Sequence, residues 1–299
     1  MRIAVLGGGA MGTLFAGVLR AGGNDVTLID RDPETVAAAE AGLRVEGETE
    51  LDVRVPATTD SESVDANVVF LFVKAHDTGV ALESAGSLLD SAAVCTLQNG
   101  LGNPETVASF VPEERVYAGT TAHGATEVGP AHVRHAGAGK TTMGRYFTSD
   151  GGLAKRIAAR LSAAGLETEF TRTPEEAIWE KALVNAGINA PTALARVENG
   201  ALDGGAGERL LRRAVEEGAA VARAAGRSPP EDIAERALDV ARSTGSNVSS
   251  MRADAEAGRE TEVEALNGEL VRRGEEWGID TPVNRTLSDL LRLAYRGQS

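Results

Sequence analysis

The amino terminus reads as a short apolar strand, a glycine turn and a helix. Strands and helices then alternate to about residue 170, and beyond it only helical periodicity remains. These observations predict an α/β protein with an N-terminal Rossmann-type doubly wound, mostly parallel sheet over residues 1–170 and an all-helical C-terminal domain over 171–299. The length agrees, because 299 residues exceed one typical domain and fall short of three. With 42% apolar and 25% charged residues the chain can furnish two cores and lacks the polar excess of a disordered protein.

Taken in order, RIAVL (2–6) is the first strand, GGGAMG (7–12) the turn and TLFAGVLRAG (13–22) the helix. DVTLID (25–30) is the second strand, and residues 43–58 read as a hairpin. VVFLFV (68–73), a helix over 78–89, AAVCTL (92–97) and a helix over 103–110 continue the alternation. Residues 115–147 are rich in Thr, Val and Gly and are expected as antiparallel additions to the sheet edge, followed by a helix over 153–164 and a strand over 167–170. The helical domain has a clear start: Thr173 as N-cap, Pro174 at the first helical position, and Glu175 and Glu176 behind it as a capping box. That helix is expected to end or kink at Pro191, which lacks an N–H and clashes with the preceding turn. Further helices are expected over 205–225, 231–243, 250–277 and 282–296, separated by GRSPP, STGSNVS and WGIDTP.

Composition narrows the function classes. Cys95 is the only cysteine, so no intramolecular disulfide and no cysteine-rich zinc site can form, and a reducing compartment is expected. The apolar run at the amino terminus is too short for a signal peptide, and no segment offers the roughly 18 apolar residues of a membrane span, so no membrane association and a cytoplasmic location are expected. A net charge of −14 repels a phosphate backbone and argues against nucleic-acid partners. Positive charge is carried almost wholly by arginine, with four lysines in the chain; the acid-rich surface fits plain solvation or a salt-adapted or high-GC source.

Gly7, Gly9 and Gly12 form G-x-G-x-x-G between a strand and a helix, with Ala10 and Met11 completing the loop. Gly7 permits the tight turn, Gly9 lets the backbone approach a pyrophosphate, and Gly12 lets the helix pack closely on the strand, while the helix N-terminus attracts the anion. Asp30 follows Gly12 by 18 residues, where a carboxylate accepts from the ribose hydroxyls of NAD; Arg31 beside it can clasp the 2′-phosphate of NADP. Both signals are present, and an Asp–Arg pair contacting only water is the bland alternative.

Lys181, Asn185 and Asn189 lie at i, i+4 and i+8 on one helical face among apolar neighbours. A partly solvated lysine with two helix-interior asparagines would explain the pattern without function. Chemistry offers another account: reduction of a ketone by hydride leaves an alkoxide, which an ammonium can stabilise and protonate. Glu262 is the candidate carboxylate to hold that ammonium or the substrate hydroxyl, its bland alternative being a surface glutamate beside Glu260 and Glu264.

Across essentially the whole chain the motifs GGGAMG (7–12), VKAHDT (73–78), LQNG (97–100), TTAHGA (120–125), WEKALVNAGINAPTAL (179–194), ENG (198–200), SSM (249–251) and TEVEALNG (261–268) resemble the ketopantoate reductase family of NADPH-dependent 2-dehydropantoate 2-reductases. The resemblance implies Lys181 as general acid, Glu262 as the active-site glutamate and Asn99 as the bridge between substrate and cofactor. It implies Lys74 near the nicotinamide, Asn185, Asn189 and Asn199 as substrate-pocket amides, Ser250 on the substrate carboxylate, and Arg31 on the 2′-phosphate, so that NADPH is favoured with NAD left open. Two departures stand out: Asp77 where some members have glutamine, and Ala190 between Asn189 and Pro191 where the family commonly has Asn-Pro directly, which is expected to move the helix end by a residue. No metal is expected, because His76, His123, His132 and His135 lack a glutamate-containing metal motif, and Cys95 reads as a buried small residue.

The expected function is hydride transfer from NADPH to the C2 carbonyl of 2-dehydropantoate, with substrate held between the domains and pantoate released for pantothenate and coenzyme A synthesis. The rivals are a reductase of another branched 2-oxo acid and a non-catalytic dinucleotide sensor. A homodimer is compatible with the sequence.

Overall fold

In the computed structural model, which describes residues 1–295, the chain divides into two units: residues 1–98 with 103–177, and residues 99–102 with 178–299. The units part at 177/178, inside a helix, and four residues of the LQNGLG loop go with the second unit.

The first unit is built from β1 (Arg2–Leu6), α1 (Ala10–Ala21), β2 (Asp25–Ile29), α2 (Pro33–Gly42), β3 (Leu43–Gly47), β4 (Leu51–Val53), β5 (Ala57–Thr58), β6 (Val68–Leu71) and α3 (Thr78–Ala85). It continues with β7 (Ala93–Thr96), α4 (Asn103–Ala108), β8 (Val116–Thr121), β9 (Gly124–Gly129), β10 (His132–Gly137), β11 (Thr141–Arg145), α5 (Gly152–Ala164) and β12 (Thr168–Phe170). The main sheet has eight strands in the order β12-β11-β8-β7-β6-β1-β2-β5. From β5 to β8 every neighbour is parallel, and only the β8–β11 pairing is antiparallel. The central strands β6 and β7 are buried at every residue, as strands covered on both faces by helices must be, which is why they read as continuous apolar runs. The fold class is therefore the doubly wound α/β sheet expected, followed by helices.

The antiparallel additions differ from expectation. The hairpin pairs β3 with β4, but its tail β5 leaves it and joins the main sheet beside β2. β9 and β10 do not extend the main sheet either: with β3 and β4 they form a second sheet, order β4-β3-β10-β9, in which β10 runs parallel to β3. The cause is α1, which is buried along most of its length; at Gly17 an added Cβ would lie 2.5 Å from Leu43 and 3.3 Å from Leu51. A helix apolar on two sides needs a second cover, and the small sheet supplies it. His123 and His135, both buried, join the two sheets through a 3.1 Å ring-nitrogen contact, with Thr49 on the far nitrogen of His135. Burial lowers both pKa values, which suits neutral rings in a packed seam.

The helices of the second half are α6 (Pro174–Ala195), α7 (Gly205–Ala224), α8 (Ile233–Ser243), α9 (Ser250–Glu256), α10 (Glu269–Trp277) and α11 (Pro282–Ala294). Position 296 of the last expected helix lies outside the described residues. Two expectations are corrected. Pro191 does not end α6, which continues to Ala195; Thr192 donates its hydroxyl to the carbonyls of Ile188 and Asn189, and the helix stops only where Arg196 takes a left-handed φ of 56°. The single helix expected over 250–277 is broken after α9, where Gly258 turns left-handed, and resumes as a one-turn π-helix (Glu264–Gly268) leading into α10. Such turns are rare and frequent at functional sites.

Candidate functional site

The glycine loop of the first unit has the conformation its sequence demands. Gly7 lies at φ 106°, and a Cβ there would press within 2.9 Å of the backbone between Phe72 and Val73. At Gly12 a Cβ would fall 1.8 Å from the carbonyl oxygen of Gly7, so any side chain would push α1 off β1. At Gly9, by contrast, a Cβ would meet nothing within 4 Å. Packing thus closes the loop at Gly7, Gly8 and Gly12 and leaves it open at Gly9, beside the N-terminus of α1, where Ala10 and Met11 begin the helix. That is the cradle a dinucleotide pyrophosphate requires.

Asp30 ends β2 with both carboxylate oxygens engaged: one accepts from the Gly8 amide, the other from the Asp32 amide at 2.8 Å. Arg31, exposed, turns its guanidinium to Asp77 at 3.5 Å. Lys74, half-buried, opens the 3-10 turn Ala75–Asp77 that precedes α3. Gln98 ties this turn down, donating its amide to Val73 O at 2.7 Å and to the Thr78 hydroxyl at 2.9 Å while accepting from Thr96.

In the second unit, Lys181, Asn99 and Glu262 come together although 82 and 163 residues separate Asn99 from the other two. Lys181 Nζ donates to Asn99 Oδ1 at 2.8 Å, and Asn99 Nδ2 faces Glu262 Oε2 at 3.4 Å. The amide therefore stands with its acceptor to the ammonium and its donor to the carboxylate, the orientation both charges favour. Protein atoms crowd the ammonium and lower the Lys181 pKa to about 8, with the charge of Glu262 opposing the drop.

Three devices fix this cluster. Gly100, at φ 91°, lies so close to Ala265 that a Cβ would sit 2.5 Å from its carbonyl oxygen, and Leu101 N donates to that same oxygen at 2.8 Å. The loop carrying Asn99 is thereby docked on the π-turn that follows Glu262. Asn267, fully buried in that turn, donates to Ala186 O on α6 at 3.0 Å and to Asn284 Oδ1 at 2.9 Å. Asn284 in turn donates to Ala214 O on α7 and to Glu217. The helix that carries Lys181 and the π-turn that follows Glu262 are thus joined by one polar network running on through α7 and α11.

The remaining residues singled out from the sequence fall as follows. Asn185 is half-buried and Asn189 buried on the Lys181 face of α6. Asn199 is buried in a separate cluster, donating to the Thr244 hydroxyl at 3.0 Å, while its Oδ1 finds no partner among the described residues. Ser250 is exposed at the start of α9; its neighbour Ser249 is buried, caps α9 through Arg252 N and meets the Thr192 hydroxyl at 2.8 Å. Gln98, Gly100, Asn267 and Asn284 were not singled out from the sequence. The first three sit in the LQNG and TEVEALNG segments, but a role that consists of bonds to distant backbone has no local signature.

Residues 3–147 match the family described as Ketopantoate reductase PanE/ApbA, and residues 174–295 match Ketopantoate reductase PanE/ApbA C terminal. The chain is 48% identical to the 2-dehydropantoate 2-reductase of Halobacterium salinarum, over 99% of each chain. It superposes on a PanE/ApbA family ketopantoate reductase from Ralstonia eutropha with a TM-score of 0.91 at 36% identity, covering 100% of this chain and 99% of that one. A D-mandelate dehydrogenase solved with NADH and anilino(oxo)acetate superposes with a TM-score of 0.92 at 28% identity, over 100% and 99% of the two chains. Matched by both family descriptions and by relatives along its full length, the chain belongs to the ketopantoate reductase family.

Proposed function

We propose that the chain reduces 2-dehydropantoate to (R)-pantoate at the expense of NADPH, with residues 1–170 as the dinucleotide-binding domain and 171–299 as the substrate and catalytic domain. The observation that carries the reading is the desolvated Lys181 ammonium, its pKa about 8, bonded to Asn99 and balanced by Glu262.

Gly7, Gly9, Ala10, Met11 and Gly12 hold the pyrophosphate against the amides of α1, and Asp30, Arg31, Lys74 and Asn99 contact the rest of the cofactor. Bound there, a reduced nicotinamide supplies the hydride. Lys181 stabilises the negative charge that develops on the C2 oxygen and protonates it; a pKa near the working pH suits a group that must hold a proton and release it. Glu262 keeps the ammonium charged in surroundings that disfavour charge. Asn99 fixes the direction of the N–H bond, and Asn185, Asn189, Asn199 and Ser250 bind the 2-oxo acid.

The likeness to D-mandelate dehydrogenase favours a second reading, in which another branched or aromatic 2-oxo acid is the substrate of the same machinery. Both are tested by following the loss of reduced-cofactor absorbance with 2-dehydropantoate and a graded series of 2-oxo acids, using NADPH and NADH in turn. A preference for 2-dehydropantoate with NADPH is expected. A preference for phenylglyoxylate would favour the second reading, and no turnover with any oxo acid, despite cofactor binding, would leave only a dinucleotide sensor.

A further inference from the structure

Asp77 closes the 3-10 turn Ala75–Asp77 that leads into α3; its backbone is helical and its amide donates to Lys74 O at 2.9 Å. Its side chain makes no capping bond to α3. Its carboxylate turns to Arg31 at 3.5 Å instead, with His76 Nε2 at 4.0 Å on its other side. Asp30, next to Arg31 in the chain, has both oxygens committed to the Gly8 and Asp32 amides and so stays fixed at the end of β2. The guanidinium that would meet a 2′-phosphate thus belongs to the residue after one fixed carboxylate and is paired with a second.

We infer that Asp77 is a specificity-determining residue for the nicotinamide cofactor: it holds Arg31 away from a 2′-phosphate and opposes that phosphate with its own charge, so that NADH is accepted alongside NADPH. The inference rests on the proposed dinucleotide site. A 2′-phosphomonoester brings nearly two negative charges to a guanidinium already paired with the Asp77 carboxylate. NADPH must therefore displace one carboxylate from the guanidinium and lie near it afterwards. NADH, with a 2′-hydroxyl, needs neither change and can donate to Asp30.

The test is a fluorescence titration giving dissociation constants for NADPH and NADH with the wild type, Asp77→Asn, Asp77→Glu and Arg31→Ala, each shown by thermal melting to be folded. Because Asp77 does not cap α3, both of its variants should fold. Asp77→Asn is expected to tighten NADPH relative to NADH by about fivefold, the scale of one exposed charge interaction, while Asp77→Glu keeps the wild-type ratio. An Asp77→Asn ratio equal to that of the wild type, or the same change in Asp77→Asn and Asp77→Glu, overturns the inference while leaving the dinucleotide site standing. If Arg31→Ala does not weaken NADPH relative to NADH, the phosphate role of Arg31 falls, and the role of Asp77 with it.

Discussion

The glycine loop after β1 and the Lys181 cluster of the helical unit are both polar features in apolar surroundings, and they are made in opposite ways. The loop is a local object: four glycines within six residues, of which Gly7, Gly8 and Gly12 are required by close contacts at their own positions. The cluster is assembled from three distant stretches of chain and depends on desolvation, charge balance and a network of buried amides. Substitution should therefore separate them. Changes in the loop should act on folding or cofactor affinity, and changes in the cluster on the chemical step.

The largest effect is expected at the cluster. Lys181→Met should lower kcat by about a thousandfold, within the range for loss of a positioned general acid, while cofactor affinity measured by titration stays near that of the wild type. Turnover equal to the wild type would break the comparison, because the cluster would then be structural. Next comes the packed end of the loop. In Gly12→Ala the new methyl meets Gly7 O at 1.8 Å. The expected loss is about 3 kcal/mol of stability, read from the urea midpoint, the cost of forcing a methyl into a packed contact.

A smaller effect distinguishes charge balance from contact within the cluster. Since Lys181 must be protonated to act as acid, kcat/KM for reduction should fall as pH rises through about 8. Glu262 raises the Lys181 pKa, so Glu262→Gln should move that alkaline limb to lower pH. A limb that stays in place would show that Glu262 acts on the substrate and not on the ammonium. The smallest effect on folding is expected at the open middle of the loop. Gly9→Ala adds a methyl where nothing lies within 4 Å, so stability should change by under about 0.5 kcal/mol while cofactor affinity falls severalfold. A stability loss as large as that of Gly12→Ala would remove the distinction between packed and open glycines.

The two regions also differ in how far the sequence revealed them. Gly7, Gly9 and Gly12 could each be given a task from spacing alone, since a positive φ or a missing Cβ is a requirement on one residue. The stripe of Lys181, Asn185 and Asn189 was equally visible, because helical periodicity is local. Glu262 is a candidate partner for the ammonium on chemistry alone, whereas Asn99 enters only through family motifs; the supports Asn267 and Asn284 have no local signature because they bond to backbone carbonyls and side chains of other segments. The same limit explains the errors in the fold. A helical pattern over 250–277 gives no hint of a π-turn, and the propensities of 124–137 favour strands without saying which sheet they join.

By itself the sequence determined the order of strands and helices, the strand–glycine–helix opening of the first unit and the stripe of Lys181, Asn185 and Asn189 on one helical face, since these rest on periodicity, backbone allowance and residue type. Only the tertiary structure decided that a second sheet covers α1, that residues 99–102 dock on the π-turn, that Asp77 faces Arg31 and that Lys181 carries a pKa near 8. The physical reason is the range of the forces involved. Backbone sterics and helical spacing act within a few residues, whereas burial, ion pairing and shared hydrogen bonds exist only once distant segments are packed together.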